Sequence, residues 1–257
     1  MNKEKIVEHI VKWLKDYSDS SNTNGFVVGV SGGIDSALTS TLGALTGKPV
    51  LCLEMPIHQP KNQVDRAIKH IEFLKSKFPN VTSKSIHLTD VFEAFIKAVE
   101  DKGENEMALV NSRSRLRMTT LYYFAGMNNA LVLGTGNKVE DFGIGFFTKY
   151  GDGGVDLSPI ADLTKTEVYL LAEYLDIIPE ILNAPPTDGL WNDDRTDEDQ
   201  IGATYPELEW AMTFNGDVQH LTDRQKEVLS IYRKLNKSNQ HKMKPVPVCL
   251  IPENLKH

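Results

Sequence analysis

Residues 25–37, Gly-Phe-Val-Val-Gly-Val-Ser-Gly-Gly-Ile-Asp-Ser-Ala, constrain the fold more than any other stretch of this chain. Residues 26–30 are apolar and β-branched, the pattern of a central strand in a parallel sheet covered on both faces. Ser31, Gly32 and Gly33 then make a turn without bulky side chains, so that backbone N–H groups can approach a ligand closely. Asp35 and Ser36 fall in the first turn of the following helix, where free N–H groups and the helix dipole favour an anion. This is a phosphate cradle of a kind distinct from the Walker loop, because no Gly-Lys-Ser/Thr follows the glycines. Asp35 offers instead a carboxylate able to hold magnesium against phosphates. On these residues alone, an ordinary tight strand-to-helix turn is the alternative.

From this stretch the rest of the chain can be laid out. The opening residues 1–17 carry Ile6, Val7, Ile10, Val11 and Leu14 on one helical face, interrupted by charges, so they lack the continuous apolar core of a signal peptide. A second buried strand reads at 49–53 and a third at 83–88. Between them, Val64, Ala67, Ile68, Ile71 and Leu74 predict a helix over 62–77. Asp90 can cap the next helix, 104–127 is a long helical stretch, and 130–134 is another buried strand. Strand and helix alternate, which implies a doubly wound, mostly parallel α/β sheet, taken as five-stranded and flanked by helices. Ligands of such sheets sit beyond the carboxyl ends of the strands, so the segments after Val30, Leu53, Leu88 and Leu133 are expected to line one site.

Two long loops stand out. Thirty residues separate Gly134 from Thr164, where Thr164 and Glu167 have capping-box spacing and helical periodicity returns. Loops of this length inside a compact domain are commonly functional, and the aromatic residues and paired glycines at 146–156 suit a packed segment. Residues 184–200 are acidic and rich in turn formers but carry Leu190 and Trp191, a composition that suits a lid closing over a ligand. Two amphipathic helices follow near 206–214 and 222–236, then a basic tail with His241, Lys242 and Lys244.

At 257 residues the chain suits one α/β domain spanning 1–257. A net charge of −7 argues against a broad nucleic-acid footprint. With two cysteines, Cys52 and Cys249, neither a disulfide framework nor a Cys-rich metal site is encoded, and a reducing cytoplasm is expected. No apolar run reaches membrane-spanning length.

The string Ser31-Gly32-Gly33-Ile34-Asp35-Ser36 resembles the pyrophosphate-binding loop of the N-type ATP pyrophosphatases, which adenylate a substrate and then displace AMP with a nitrogen or sulfur nucleophile. Taken with the 111–118 block, 134–140, 146–156, Leu163-Thr164-Lys165 and 186–198, the sequence resembles the ammonia-dependent NAD synthetases from about Glu4 to the tail. The resemblance implies a Rossmann-like fold of the adenine nucleotide α-hydrolase type and no glutaminase domain. It implies amidation of nicotinic acid adenine dinucleotide (NaAD) to NAD with free ammonia, through an NAD-adenylate, with release of AMP and pyrophosphate. Carried over by motif, Ser31, Gly32, Gly33 and Ser36 would hold the pyrophosphate moiety of ATP, and Asp35 and Glu140 would hold magnesium. Lys165 and Thr187 would contact the phosphates, with Thr135 near the nucleotide. Asn111, Arg115, Tyr122, Lys149, Asp156, His241 and Lys242 would bind NaAD, several from the partner subunit of a homodimer with 104–127 at its interface. Asp152 would lie close to the reacting centre, suited to ammonium binding or deprotonation, and Asp152, Lys165 and Asp35 form the expected catalytic group.

The chain departs from the family pattern by one extra residue between the Gly134 block and Lys149, so Asp141 competes with Glu140 as the metal ligand; the spacing from Thr135 favours Glu140. Arg113, Arg115 and Arg117 alternate within a helix and cannot all face one ligand. Alternatives are amidation of the shorter nicotinic acid mononucleotide, an RNA-modifying relative with the same loop, and a catalytically silent nucleotide-binding module.

Overall fold

The computed structural model of the protein describes residues 1–100, 103, 105–187 and 196–256. The chain begins with α1 (Lys3–Ser20) and enters the sheet at β1 (Gly25–Gly29), followed by α2 (Ile34–Leu45), β2 (Val50–Glu54), α3 (Lys61–Lys77), β3 (Val81–Ser85) and α4 (Thr89–Ala98). After α5 (Glu106–Asn128) and β4 (Ala130–Leu133) come α6 (Lys165–Tyr174), α7 (Pro179–Leu182), α8 (Asp197–Ile201), α9 (Tyr205–Thr213), α10 (Asp223–Ser238) and α11 (Gln240–Met243).

The sheet is parallel throughout, in the order β3-β2-β1-β4. Val27 of β1 pairs with Leu51 on one side and Val132 on the other, so β1 is central, as its continuous apolar run requires. Its alternating side chains serve two cores. Phe26, Val28 and Val30 join the layer under α1, α2, α3 and α6, whereas Val27 joins Leu53, Phe92, Ala125 and Val132 beneath α4 and α5. Burying each of the Val, Leu and Phe side chains among these contributes about 1.5–3 kcal/mol. A third cluster, centred on Leu208, Val228 and Ile144, holds α9 and α10 beside the sheet.

The expected fifth strand is corrected to four. After β4 the chain returns alongside it, but Leu133 and Leu157 form a single isolated parallel bridge, with Gly134 N donating to Leu157 O at 2.7 Å. Pro159, with no N–H to give, follows two residues later and the chain turns. The third strand lies at Val81–Ser85 rather than 83–88, because it pairs from Val50↔Val81 to Glu54↔Ser85 and ends where β2 ends. Asp90 is not a cap: α4 starts at Thr89, which places Asp90 in the first turn after an N-cap Leu88.

The long loop after β4 contains a π-helical turn at Val139–Ile144. A π-helical turn closes on the fifth residue along rather than the fourth, so it holds one residue more than an α-helical turn. The side chain of buried Asn137 starts the turn, its Oδ1 accepting from Val139 N at 3.1 Å and Glu140 N at 3.2 Å. The expected capping box is present, with Glu167 N donating to Thr164 Oγ1 and Thr164 N donating to Glu167 Oε2. Leu190, Trp191 and the centre of the expected lid lie outside the described residues, although 184–187 and 196–200 are described.

Candidate active site

A cavity of about 640 Å³ opens at the carboxyl ends of β1, β2 and β4, beside the point where the strand order reverses between β1 and β4. Its floor is the loop between β1 and α2. Gly32 has φ +83°, and a Cβ there would lie 2.6 Å from Gln63 O, so both backbone conformation and space exclude any other residue. The loop is internally braced: Ser36 Oγ donates to Gly33 O at 2.9 Å, Ser31 N donates to Ser36 Oγ at 3.2 Å, and Gly33 N donates to Ser31 Oγ at 3.2 Å. Gly33 caps α2 without a side chain, which leaves the first-turn N–H groups to a ligand.

Beside the loop lies a buried charge cluster. Lys165, at the first position of α6, extends its ammonium to within 2.6 Å of Asp35 Oδ2 and 3.0 Å of Glu140 Oε1. Asn137 Nδ2 donates to Asp35 Oδ1 at 3.1 Å. Tyr205 Oη donates to Glu140 Oε1 at 2.6 Å and lies 3.3 Å from Asp197 Oδ2, with its ring 4.6 Å from the ammonium. Burial works against the charge on Lys165, but Asp35 and Glu140 outweigh it and hold its pKa above the ordinary lysine value. Burial raises the pKa of Asp35, a shift that Glu140 adds to and Lys165 opposes.

Across the cavity, Asp152 Oδ1 accepts from Ser114 Oγ at 2.6 Å and from Thr148 N at 3.0 Å. Its pKa is raised by burial, which those hydrogen bonds only partly offset. Thr148 Oγ1 donates to Asn111 Oδ1 at 2.7 Å, and Arg115 Nε donates to Lys149 O at 3.3 Å. Lys149 Nζ donates to His241 O, while Lys242 Nζ donates to Gly145 O and Phe147 O, which ties α11 back over the opening. Burial lowers the pKa of Lys242.

The cavity wall therefore includes Ser31, Gly33, Asp35, Ser36, Thr135, Glu140, Lys165 and Thr187, all expected from sequence on the ATP side. Asn111, Arg115, Lys149, Asp152, His241 and Lys242 line it as well. Gly32 stands behind the loop. Tyr122 and Asp156 lie elsewhere: Tyr122 Oη donates to Asp156 Oδ1 at 3.0 Å, and Asp156 Oδ2 accepts from Val132 N at 2.8 Å. Asp156 borders a separate shallow surface pocket with Trp13 and Tyr17. Asp141 does not line the cavity; its carboxylate packs against Gly136, where an added Cβ would come within 2.1 Å of Oδ1. Of the three alternating arginines, Arg113 is buried 5.4 Å from the Phe92 ring, Arg115 is exposed, and Arg117 Nε donates to Met55 O at 3.0 Å. Tyr205, Asp197 and Asn137 were not expected at the site. Another capping box, Thr204 with Glu207, places Tyr205 at the first position of α9 and is the one local signal that marks it.

The description "NAD synthase" belongs to the family model that matches residues 6–246. The chain belongs to the NAD synthase family. The NH(3)-dependent NAD(+) synthetase of Syntrophomonas wolfei is 37% identical to it over 264 residues, covering all of both chains. Among solved structures, the NMN synthetase of Francisella tularensis superposes with a TM-score of 0.86 at 32% identity, covering 98% of this chain and 99% of that one. The NH3-dependent NAD synthetase of Campylobacter jejuni, solved with a nitrate ion, does so at 0.79 and 28% identity, covering 97% and 100%.

Proposed function

We infer that the protein joins ammonia to the carboxylate of NaAD, giving NAD at the expense of ATP. The observation that carries this is the convergence of Lys165, Asp35 and Glu140 beside the phosphate loop, in a chain of the NAD synthase family. A carboxylate is inert toward ammonia until its oxygen becomes part of a leaving group. A carboxylate oxygen of NaAD attacks the α-phosphorus of ATP, the bond to the bridging oxygen breaks, and pyrophosphate departs. Ammonia then attacks the acyl carbon of the NAD-adenylate, AMP leaves with the bonding pair, and one proton is lost. Two anions must meet in the first step, and oriented N–H groups and cations make that possible.

In this reading Ser31, Gly33 and Ser36 hold the departing pyrophosphate, Lys165 and Thr187 contact phosphates, and Thr135 lies near the nucleotide. Asp152, anchored by Ser114 and Thr148, binds ammonium or takes its proton; its raised pKa brings it closer to the pH at which such a transfer is efficient. Asn111, Arg115, Lys149, His241 and Lys242 take the acid substrate. Asp35 and Glu140 fit magnesium, since both reach the same ammonium and so lie within reach of one small cation. Among the described residues no cluster of three His, Cys, Asp or Glu side chains forms a protein-only metal cage, which suits an ion that takes few carboxylates and completes its shell with phosphate and water. Magnesium there would neutralise charge on the triphosphate.

A homodimer is the proposed assembly. It is supported by exposed apolar side chains on neighbouring helices, Val91, Phe95 and Val99 on or just after α4 and Met107, Tyr123 and Met127 on α5. No described helix is long and apolar enough to cross a membrane. Both cysteines are free, in keeping with the proposed cytoplasmic location.

Incubation with NaAD, ATP, magnesium and ammonium is expected to yield NAD and AMP; ADP as product overturns the reading. A second reading, amidation of nicotinic acid mononucleotide, is favoured by the close superposition on the Francisella NMN synthetase. The ratio of kcat/KM for the two acids decides between them.

A further inference from the structure

The loop between β1 and α2 contains no cation of its own. A Walker loop supplies a lysine that reaches the β- and γ-phosphates; here residues 31–36 supply none, and Lys165 comes from a distant segment at the start of α6. A cation does stand next to the loop, on α3. Gly32 is pressed against that helix, its missing Cβ site lying 2.6 Å from Gln63 O, 3.0 Å from Ala67 N and 3.2 Å from the Cβ of Arg66. Arg66 Nε donates to Gly32 O at 3.3 Å. The side chain is half-buried and lines the cavity together with Gln63 and Gly33. Among the described residues no carboxylate lies within 4.0 Å of its guanidinium. Burial pulls its pKa down, the mark of a charge taken partly from water without compensation, although a guanidinium stays protonated.

A partly desolvated guanidinium that uses one edge to hold the loop carbonyl, with no carboxylate beside it among the described residues, is arranged to receive an anion. We propose that Arg66 binds the oxygens of the terminal phosphates of ATP and of the departing pyrophosphate, in the role that a lysine within the loop fills in Walker proteins. The planar fork suits this double task, since Nε can stay on Gly32 O while the two terminal nitrogens donate to phosphate. The proposal rests on the reading of the cavity as an ATP site. It assigns Arg66 to the tail of the triphosphate and not to the adenosine.

The test is isothermal titration of the full chain with Mg-ATP, magnesium pyrophosphate and AMP, without acid substrate, for the natural protein and for Arg66→Ala and Arg66→Lys, with thermal melts verifying that each folds. Arg66→Ala is expected to weaken ATP and pyrophosphate binding about 10- to 100-fold, as for loss of one charge-assisted contact, while AMP binding changes less than about twofold. Arg66→Lys, which keeps the charge but loses the fork, is expected to recover part of the affinity, since one ammonium cannot hold Gly32 O and phosphate together as the fork does. Unchanged ATP binding in Arg66→Ala overturns the proposal. So does an equal loss for AMP, or a folded Arg66→Lys that binds ATP as weakly as the alanine variant, since either outcome marks a mere prop for the loop. Natural protein that binds ATP but makes no amide overturns the proposed reaction and leaves these ratios readable.

Discussion

The ammonium of Lys165 lies 2.6 Å from Asp35 Oδ2, which ties the start of α6 to the phosphate loop 130 residues earlier in the chain. Glu140 holds the same ammonium from the π-helical turn, so one cation sits between two carboxylates that would otherwise face each other in a buried setting. The arrangement holds three distant segments in register where magnesium is proposed to bind.

Removing the cation therefore tests both its structural and its electrostatic role. Lys165→Ala is expected to destabilise the fold by about 3–5 kcal/mol at neutral pH, the cost of leaving buried charge uncompensated. The penalty is expected to shrink as pH falls, because one carboxyl can then take a proton. Millimolar magnesium is expected to raise the Tm of Lys165→Ala more than that of the natural protein, by filling the gap between Asp35 and Glu140. Thermal melts with and without magnesium at pH 5 and pH 8 check all three; a melting temperature indifferent to magnesium in the variant removes Asp35 and Glu140 from the metal role.

Tyr205 links this cluster to the described end of the acidic loop, since its hydroxyl reaches both Glu140 and Asp197 while its ring covers the lysine. Tyr205→Phe keeps the ring and deletes the bridge. The variant is expected to lose about 1–2 kcal/mol of stability. Its kcat is expected to fall about tenfold at low magnesium and to recover as magnesium is raised, because what is lost is the restraint on a carboxylate and not the carboxylate itself. A magnesium titration of the steady-state rate separates this from a uniform loss.

What was legible in the sequence was local. The strand-turn-helix at 25–37 declares itself because Gly32 alone tolerates its backbone and packing, and the start of α6 because Thr164 and Glu167 cap it reciprocally. Adjacent segments sharing one sheet edge brought most of the cavity wall with them. Features set by distant partners were not legible. The expectation of five strands fails because the return past β4 makes only one bridge, at Leu157, before Pro159, and Asp90 falls inside α4 because that helix starts at Thr89. The π-helical turn depends on Asn137, whose side chain also reaches Asp35 at a separation of 102 residues, and no short-range period encodes that. Tyr205 and Glu140 meet across 65 residues, and Arg66 and Gly32 across 34. In each case the residue type is ordinary and only its partner makes it functional.

His70 gives a prediction that is independent of the chemistry. It is fully buried between α3 and α2, with Nε2 3.0 Å from Ser40 Oγ, and burial pushes its pKa down from 6.5 to about 4. The unfolded chain therefore binds a proton between those values that the folded protein refuses. The contribution of neutral His70 is complete above pH 6.5 and is lost as pH falls toward 4. Integrated from pH 7 to pH 5, this single group removes about 2 kcal/mol of stability. His70→Gln retains a polar partner for Ser40 but does not titrate, so its unfolding free energy is expected to decline about 2 kcal/mol less than that of the natural protein over the same interval. Urea unfolding at pH 7, 6 and 5 measures the difference, and parallel declines in the two proteins would show that His70 is protonated in the fold after all.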